Sequence, residues 1–136
     1  MADIVMQLGF NGSYTIYDFA EVSRIQKYLH EQRGYSNITY TSDYRDITPH
    51  DLCIATWSFT EMPFNLRYKI RDLLKDGTRD YLIAYSNQIF GYDNKQWMNT
   101  EFITQFDVNK YEIDLIDIPW MPWDGGTSYL FIKQKD

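Results

Sequence analysis

Several polar residues of this chain directly follow strand-like runs, where their side chains could do chemistry. In "IYDFAE" (16–21) Asp18 closes a β-branched and aromatic run and precedes a helix-like one. A carboxylate there offers two acceptor oxygens. Nucleotide-binding α/β folds grip ribose hydroxyls with such an acid, roughly 20 residues after the start of a glycine-rich phosphate loop. Only seventeen residues precede Asp18, and the glycine pair among them, Gly9 and Gly12 in "GFNG", comes before a strand rather than between a strand and a helix. That pair reads as a helix stop and turn. Asp18 is thus either a ribose ligand without its phosphate loop or the N-cap of a helix starting near Ala20. Glu21 reads as first-turn complementation of the helix dipole.

"TWSFTEMP" (56–63) leaves the carboxyl end of "DLCIATW" (51–57), a strand almost wholly apolar before Trp57, as a parallel strand buried on both faces should be. Doubly wound sheets bind ligands at that end. Trp57 and Phe59 could wall a ligand there, and Ser58 and Glu61 are its polar groups; alternatively Glu61 and Pro63 simply open the next helix. Asp43, in "TSDYRD", ends another strand and equally suits an Asx turn. Asn87 and Gln88 follow "DYLIAYS" (80–86) and either pair with ligand hydroxyls or form a polar turn. Trp120, Trp123 and Asp124 lie in the turn-rich "PWMPWDGGTS", where aromatic faces beside a carboxylate suit a sugar, or make an exposed interface patch. Two separated His and one Cys give no HExxH or CxxC pattern, so no metal site is expected. Cys53, between Leu52 and Ile54, reads as a buried small hydrophobe. Neither a G-x-S-x-G elbow nor a Walker motif occurs.

The elements that must position these residues alternate. "ADIVMQLGF" is either a short helix or a strand. "SYTIYDF" (13–19) is a strand, and "AEVSRIQKYLHEQRG" a helix with Val22, Ile25, Tyr28 and Leu29 on one face and Gly34 as its stop. Strands follow at 37–43, 51–57 and 80–86. A helix near 65–75 buries Leu66, Ile70, Leu73 and Leu74, and a second helix at 94–106 gathers Trp97, Met98, Phe102 and Phe106. "YEIDLIDIP" (111–119) and "YLFIKQK" (129–135) are strands with no helix between them, hence antiparallel neighbours. The whole is a single α/β domain, 1–136, with a mostly parallel sheet and a C-terminal antiparallel hairpin.

Composition excludes other classes. A net charge of −6 without a basic block argues against nucleic-acid binding. No apolar run approaches 18 residues, so no membrane span is expected. "MADIVMQLGF" lacks a basic n-region and cleavage signature, and the expected location is cytoplasmic.

Four stretches, "LGFNGSYTIYDFAEVSRIQKYL" (8–29), "DLCIATWSFTEMP" (51–63), "YLIAYSNQIFG" (81–91) and "IDIPWMPWDGGTSYLFIKQK" (116–135), resemble class I S-adenosylmethionine-dependent methyltransferases, and in wording the sugar O-methyltransferase family. The resemblance implies a Rossmann-like sheet whose reversed last strand is inserted beside the fifth. It also implies S-adenosylmethionine as cofactor, with Asp18 on its ribose, Asp43 on its adenine, and Trp57 and Ser58 beside it. Glu61 would take the proton from an acceptor hydroxyl, and Asn87, Gln88, Trp120 and Trp123 would bind the acceptor, a sugar or another hydroxyl-bearing small molecule. In that alignment the family's first strand and glycine-rich motif would lie before Met1. The chain would then be N-terminally truncated at the second strand, with impaired activity on its own. The family's first strand lies centrally; without it the strands either close ranks or leave two apolar edges that invite pairing as a homodimer. The alternatives are a non-catalytic α/β remnant or dimerisation module, and a nucleotide-sugar binder unrelated to methyl transfer.

Overall fold

A computed structural model of the chain describes residues 1–118 and 126–136, so the expectations for Trp120, Trp123 and Asp124 fall outside the described residues. The chain divides into two compact units, Met1–Thr48 and Pro49–Asp136.

The first unit runs α1 (Ala2–Gln7), β1 (Tyr14–Tyr17), α2 (Ala20–Gln32), β2 (Ile38–Thr41) and a 3-10 turn, Tyr44–Asp46. The ambiguous first segment is a helix that buries Ala2 and Met6. Gly9 follows it at φ +90°, a conformation that side-chain-bearing residues rarely adopt. It is a stop and turn, as its position before a strand suggests. β1 and β2 pair in parallel, Tyr14 opposite Ile38 through Tyr17 opposite Thr41. Asp3 ties α1 to the end of α2 by an ion pair with Arg33 and a 3.3 Å hydrogen bond from the Tyr35 hydroxyl.

α2 is turned over relative to the usual amphipathic arrangement. Val22, Ile25, Tyr28 and Leu29 share a face as expected, but it is the exposed one, at 38%, 63%, 61% and 51%. The buried side is polar: Ser23 and His30 are buried, His30 Nδ1 lies 2.7 Å from the Tyr40 hydroxyl, and Gln26 donates to Asp18 at 3.1 Å. Helical period fixes which residues share a face, not which face meets the strands. The polar side pairs with the polar groups of Asp18 and Tyr40.

The second unit contains β3 (Leu52–Thr56), α3 (Ser58–Glu61), α4 (Phe64–Leu74), β4 (Asp80–Ser86), a small hairpin of β5 (Gln88–Ile89) and β6 (Tyr92–Asp93), α5 (Asn94–Trp97), β7 (Tyr111–Ile118) and β8 (Thr127–Gln134). Its sheet has the order β3-β4-β8-β7. β3 and β4 are parallel, and β8 runs antiparallel to both neighbours. The reversed last strand is therefore inserted between β4 and β7, as the resemblance implies. One face carries Tyr81, Ile83, Leu130 and Ile132, each at most 2% exposed. Phe102 packs 6.0 Å from Tyr81, 5.4 Å from Phe59 and 5.6 Å from Phe106, ring centre to ring centre.

Two expectations need correction here. The strand at 51–57 reads as buried on both faces, yet Leu52 is 50% exposed and no residue of β3 is fully buried. The reason is position: β3 pairs with β4 alone, and β1 with β2 alone, so each has a free edge among the described residues. The segment 94–106 is also not one regular helix. α5 passes into a π turn at Met98–Phe102 and a 3-10 turn at Ile103–Gln105. The Thr100 and Thr104 hydroxyls donate to the carbonyls four residues back, Gln96 and Thr100, at 3.0 and 2.9 Å. Such back-bonding competes with the helical ladder. Its apolar stripe nevertheless holds: Trp97, Met98, Phe102 and Phe106 are all buried.

Candidate functional site

In the first unit, Asp18 and Asp43 follow the carboxyl ends of two adjacent parallel strands. The Asp18 backbone N–H continues the ladder to the Thr41 carbonyl at 3.1 Å. Its carboxylate is not the N-cap of α2, which has no side-chain cap. Instead Oδ1 accepts from the Phe19 N–H at 2.8 Å and Oδ2 from Gln26 at 3.1 Å. Gln26 thus orients the group while each oxygen keeps a further acceptor position. Asp43 is engaged differently. It caps the 3-10 turn through the Arg45 N–H at 3.0 Å, and the Arg45 guanidinium contacts both of its oxygens. An adenine amino group could reach this carboxylate only if Arg45 swung away.

The Arg45 guanidinium and backbone N–H hold the Asp43 carboxyl down at about 2. Asp3, through Arg33, and Asp72, through Arg71, also lie below the ordinary carboxylate range. A folded-state value below the unfolded one stabilises the fold above the unfolded value, near 3.9, and loses that contribution as protons bind the folded state. We expect the thermal midpoint to be flat from about pH 7 to 5 and to fall between about pH 4 and 2. Added salt should flatten the fall, because these pairs are exposed. A midpoint that held constant down to pH 2 would contradict the assignment.

In the second unit, Trp57, Ser58, Asn87 and Gln88 stand at the carboxyl ends of β3 and β4. Trp57 occupies φ +59°, ψ −38°, a conformation costly for a bulky side chain. Its surroundings over-determine it. Its N–H bonds the Ala84 carbonyl at 2.6 Å, and its own carbonyl accepts from the N–H groups of Thr60 and Glu61 at 3.0 and 3.2 Å. The bend puts Ser58 and Glu61 at the surface. Asn87 is 8% exposed and built into the frame. Its carbonyl accepts from the Asn94 and Lys95 N–H groups at 2.8 and 3.1 Å, and its Oδ1 lies 2.8 Å from Ser128 Oγ. Gln88 is exposed on β5.

Behind these loops sits Arg67, 1% exposed. It donates to the Met62 carbonyl at 2.7 Å, to Asn94 Oδ1 at 2.8 Å and to the Thr60 carbonyl, and its guanidinium lies 4.5 Å from the Phe64 ring centre and 5.5 Å from that of Trp97. Burial pulls its pKa below the ordinary arginine value. Asn94 in turn donates to the Ser86 carbonyl at 2.9 Å. Arg67 and Asn94 therefore join the loop after β3 to the end of β4. The sequence signal lay in the apolar stripe of α4, where Arg67 precedes Ile70 and Leu74 at helical spacing.

A second polar group, also unforeseen, closes the carboxyl end of the sheet. Lys95 Nζ lies 2.8 and 3.1 Å from the two Asp117 oxygens, and Ser128 Oγ lies 2.6 Å from Asp117 Oδ1. Lys95 and Ser128 together hold the Asp117 carboxyl below its ordinary value. Its signal was a break in alternation: Glu112 and Asp114 share one face of β7, whereas Asp117 falls on the face of Ile113 and Leu115. Among the described residues no His, Cys, Asp or Glu cluster could hold a metal ion. Nor is any described helix long and apolar enough to cross a membrane.

No protein-family profile and no curated protein matches the sequence. Solved structures do. A proposed rRNA methylase from Clostridium thermocellum matches with a TM-score of 0.69 at 15% identity, over 99% of this chain and 79% of its own. The methyltransferase domain of bacterial CtHen1 matches at 0.67 and 12% identity, over 97% of this chain and 82% of its own. A proposed methyltransferase from Streptococcus mutans, crystallised with SAH (S-adenosylhomocysteine), matches at 0.64 and 16% identity, over 98% and 82%. The fold is thus the α/β Rossmann-like fold of methyltransferases.

The described residues fit one end of an S-adenosylmethionine-type group. Asp18 has the position and free acceptor sites for ribose hydroxyls. Among the described residues no glycine-rich turn links a strand to a helix.

Proposed function

We propose that this chain is an S-adenosylmethionine-dependent O-methyltransferase-type domain acting on a sugar or other hydroxyl-bearing small molecule, and that turnover by the isolated chain is impaired. The observation that carries this reading is the sheet order β3-β4-β8-β7, with a reversed strand between two parallel ones, in a chain that matches methyltransferase structures throughout its length. Asp18 supports the cofactor part. The second reading is a non-catalytic remnant that keeps the fold.

Thermal unfolding with ligand separates the two. At 1 mM S-adenosylhomocysteine and a dissociation constant of about 10 μM, linkage predicts about 2.7 kcal/mol of stabilisation and a midpoint rise of several degrees. ATP and NADH at the same concentration should give less. No rise with S-adenosylhomocysteine would favour the remnant, and a larger rise with NADH or ATP would favour a different nucleotide.

We further propose a homodimer. Among the described residues β1 and β3 each have a free edge, and the apolar face of α2 is exposed. Light scattering after size exclusion should give twice the chain mass, and Ile25→Glu should shift the species toward monomer. A wild-type monomer at high concentration would contradict it.

A further inference from the structure

The inward face of the second unit's sheet is ordered in rows that the strand register defines. Tyr81, Ile132 and Ile113 form one row across β4, β8 and β7, and Ile83, Leu130 and Leu115 form the next. Both are apolar apart from the Tyr81 hydroxyl, which donates to the Leu74 carbonyl at 2.8 Å. The third row, at the carboxyl ends of β4 and β7, is Tyr85, Ser128 and Asp117. Burying hydroxyls costs free energy unless they are hydrogen-bonded, and core packing gives no reason for polar residues there. Yet Tyr85 and Ser128 are 0% exposed, and the Tyr85 hydroxyl makes no well-formed hydrogen bond. It lies near Ser128, which offsets part of the upward push that burial gives the phenol.

These groups connect in one direction. Ser128 has a single proton, and the charged Asp117 oxygen at 2.6 Å is the stronger acceptor, so Ser128 donates there. Asn87 Oδ1 lies 2.8 Å from the same Ser128 hydroxyl. Lys95 contacts both Asp117 oxygens from the start of α5, and its backbone is fixed by the Asn87 carbonyl. A carboxylate has about four acceptor positions. Among the described residues, Ser128 and Lys95 fill both on Oδ1 and one on Oδ2, which leaves one on Oδ2. The Asp117 side chain is 57% exposed and that of Lys95 39%, so the open position is reachable. The two charges cancel locally, which weakens the pull on a distant ion. What the open Oδ2 position takes is a hydrogen-bond donor.

We propose that Asp117 anchors a neutral, hydroxyl-bearing small molecule through Oδ2, with Lys95 and Ser128 as positioning residues that fix its carboxylate. The choice of a hydroxyl ligand rests on the O-methyltransferase reading; the row and its open acceptor position do not. Saturation-transfer NMR with the methyl glycosides of glucose, galactose and mannose, each at 10 mM, tests it without any cofactor. Transfer to at least one glycoside is expected with the wild type. It should fall at least threefold in Asp117→Asn and in Ser128→Ala, and stay unchanged in Glu112→Gln at the other end of β7. Circular dichroism of each variant identifies any that fails to fold, and the folded one of the pair then decides. No transfer to the wild type, or equal transfer to a folded Asp117→Asn or Ser128→Ala, overturns the proposal. Glycoside binding without S-adenosylhomocysteine binding would leave this site standing and remove the methyltransferase reading. The converse would remove the site alone.

Discussion

Arg67→Ala is expected to destabilise the protein by about 3–5 kcal/mol, read as a lower urea midpoint with little change in slope. Truncation would leave the Thr60 and Met62 carbonyls and Asn94 Oδ1 without their donor at a site where Arg67 is 1% exposed. Each buried acceptor left unsatisfied costs about 1–3 kcal/mol. The lost guanidinium also vacates space between the Phe64 and Trp97 rings. Arg67→Lys keeps a charge but cannot present a planar fork to three acceptors, so a loss of about 2 kcal/mol is expected. Because Arg67 fixes the loop after β3, its loss should also loosen the strained Trp57 bend, seen as faster hydrogen exchange at Thr60 and Glu61. A change below about 1 kcal/mol for Arg67→Ala would show that the cluster is dispensable.

Asp18→Ala is expected to weaken S-adenosylhomocysteine binding by about 10- to 100-fold, the range of one or two hydrogen bonds to a charged acceptor. Its effect on folding should stay within about 1 kcal/mol, since the carboxylate is half-buried and its partners, the Phe19 N–H and Gln26, can turn to water. Affinity and stability thus separate, which distinguishes a ligand from a structural carboxylate. Asp43→Ala should leave the affinity unchanged, because Arg45 already saturates that carboxylate. Equal affinity for Asp18→Ala and wild type would remove Asp18 from the site.

Much of the fold was legible because its signals are local. β4 matches its apolar run residue for residue, and Trp97, Met98, Phe102 and Phe106 are buried as their spacing suggests. The insertion of β8 between β4 and β7 was not a local signal; it came from the resemblance. Orientation was harder. The apolar stripe of α2 is exposed and its polar side meets Asp18 and Tyr40, a tertiary outcome that helical period cannot report. The apolar run of β3 reads as buried on both faces, yet no residue of it is fully buried, because burial depends on neighbours that composition does not reveal. In the candidate site, the placement of an acid directly after a strand, Asp18 after β1, was legible. The site was missed where polar residues sit on apolar faces, as Asp117 does on β7 and Arg67 on α4. Those breaks in pattern were visible in the sequence, but only the strand register showed that Tyr85, Ser128 and Asp117 form a single row.

Isothermal titration of the wild-type chain with S-adenosylhomocysteine tests the central claim most directly. A domain that retains the ribose site should bind one equivalent with a micromolar dissociation constant, and Asp18→Ala should remove most of the heat. No heat with millimolar ligand would contradict the account and leave a methyltransferase fold without its cofactor.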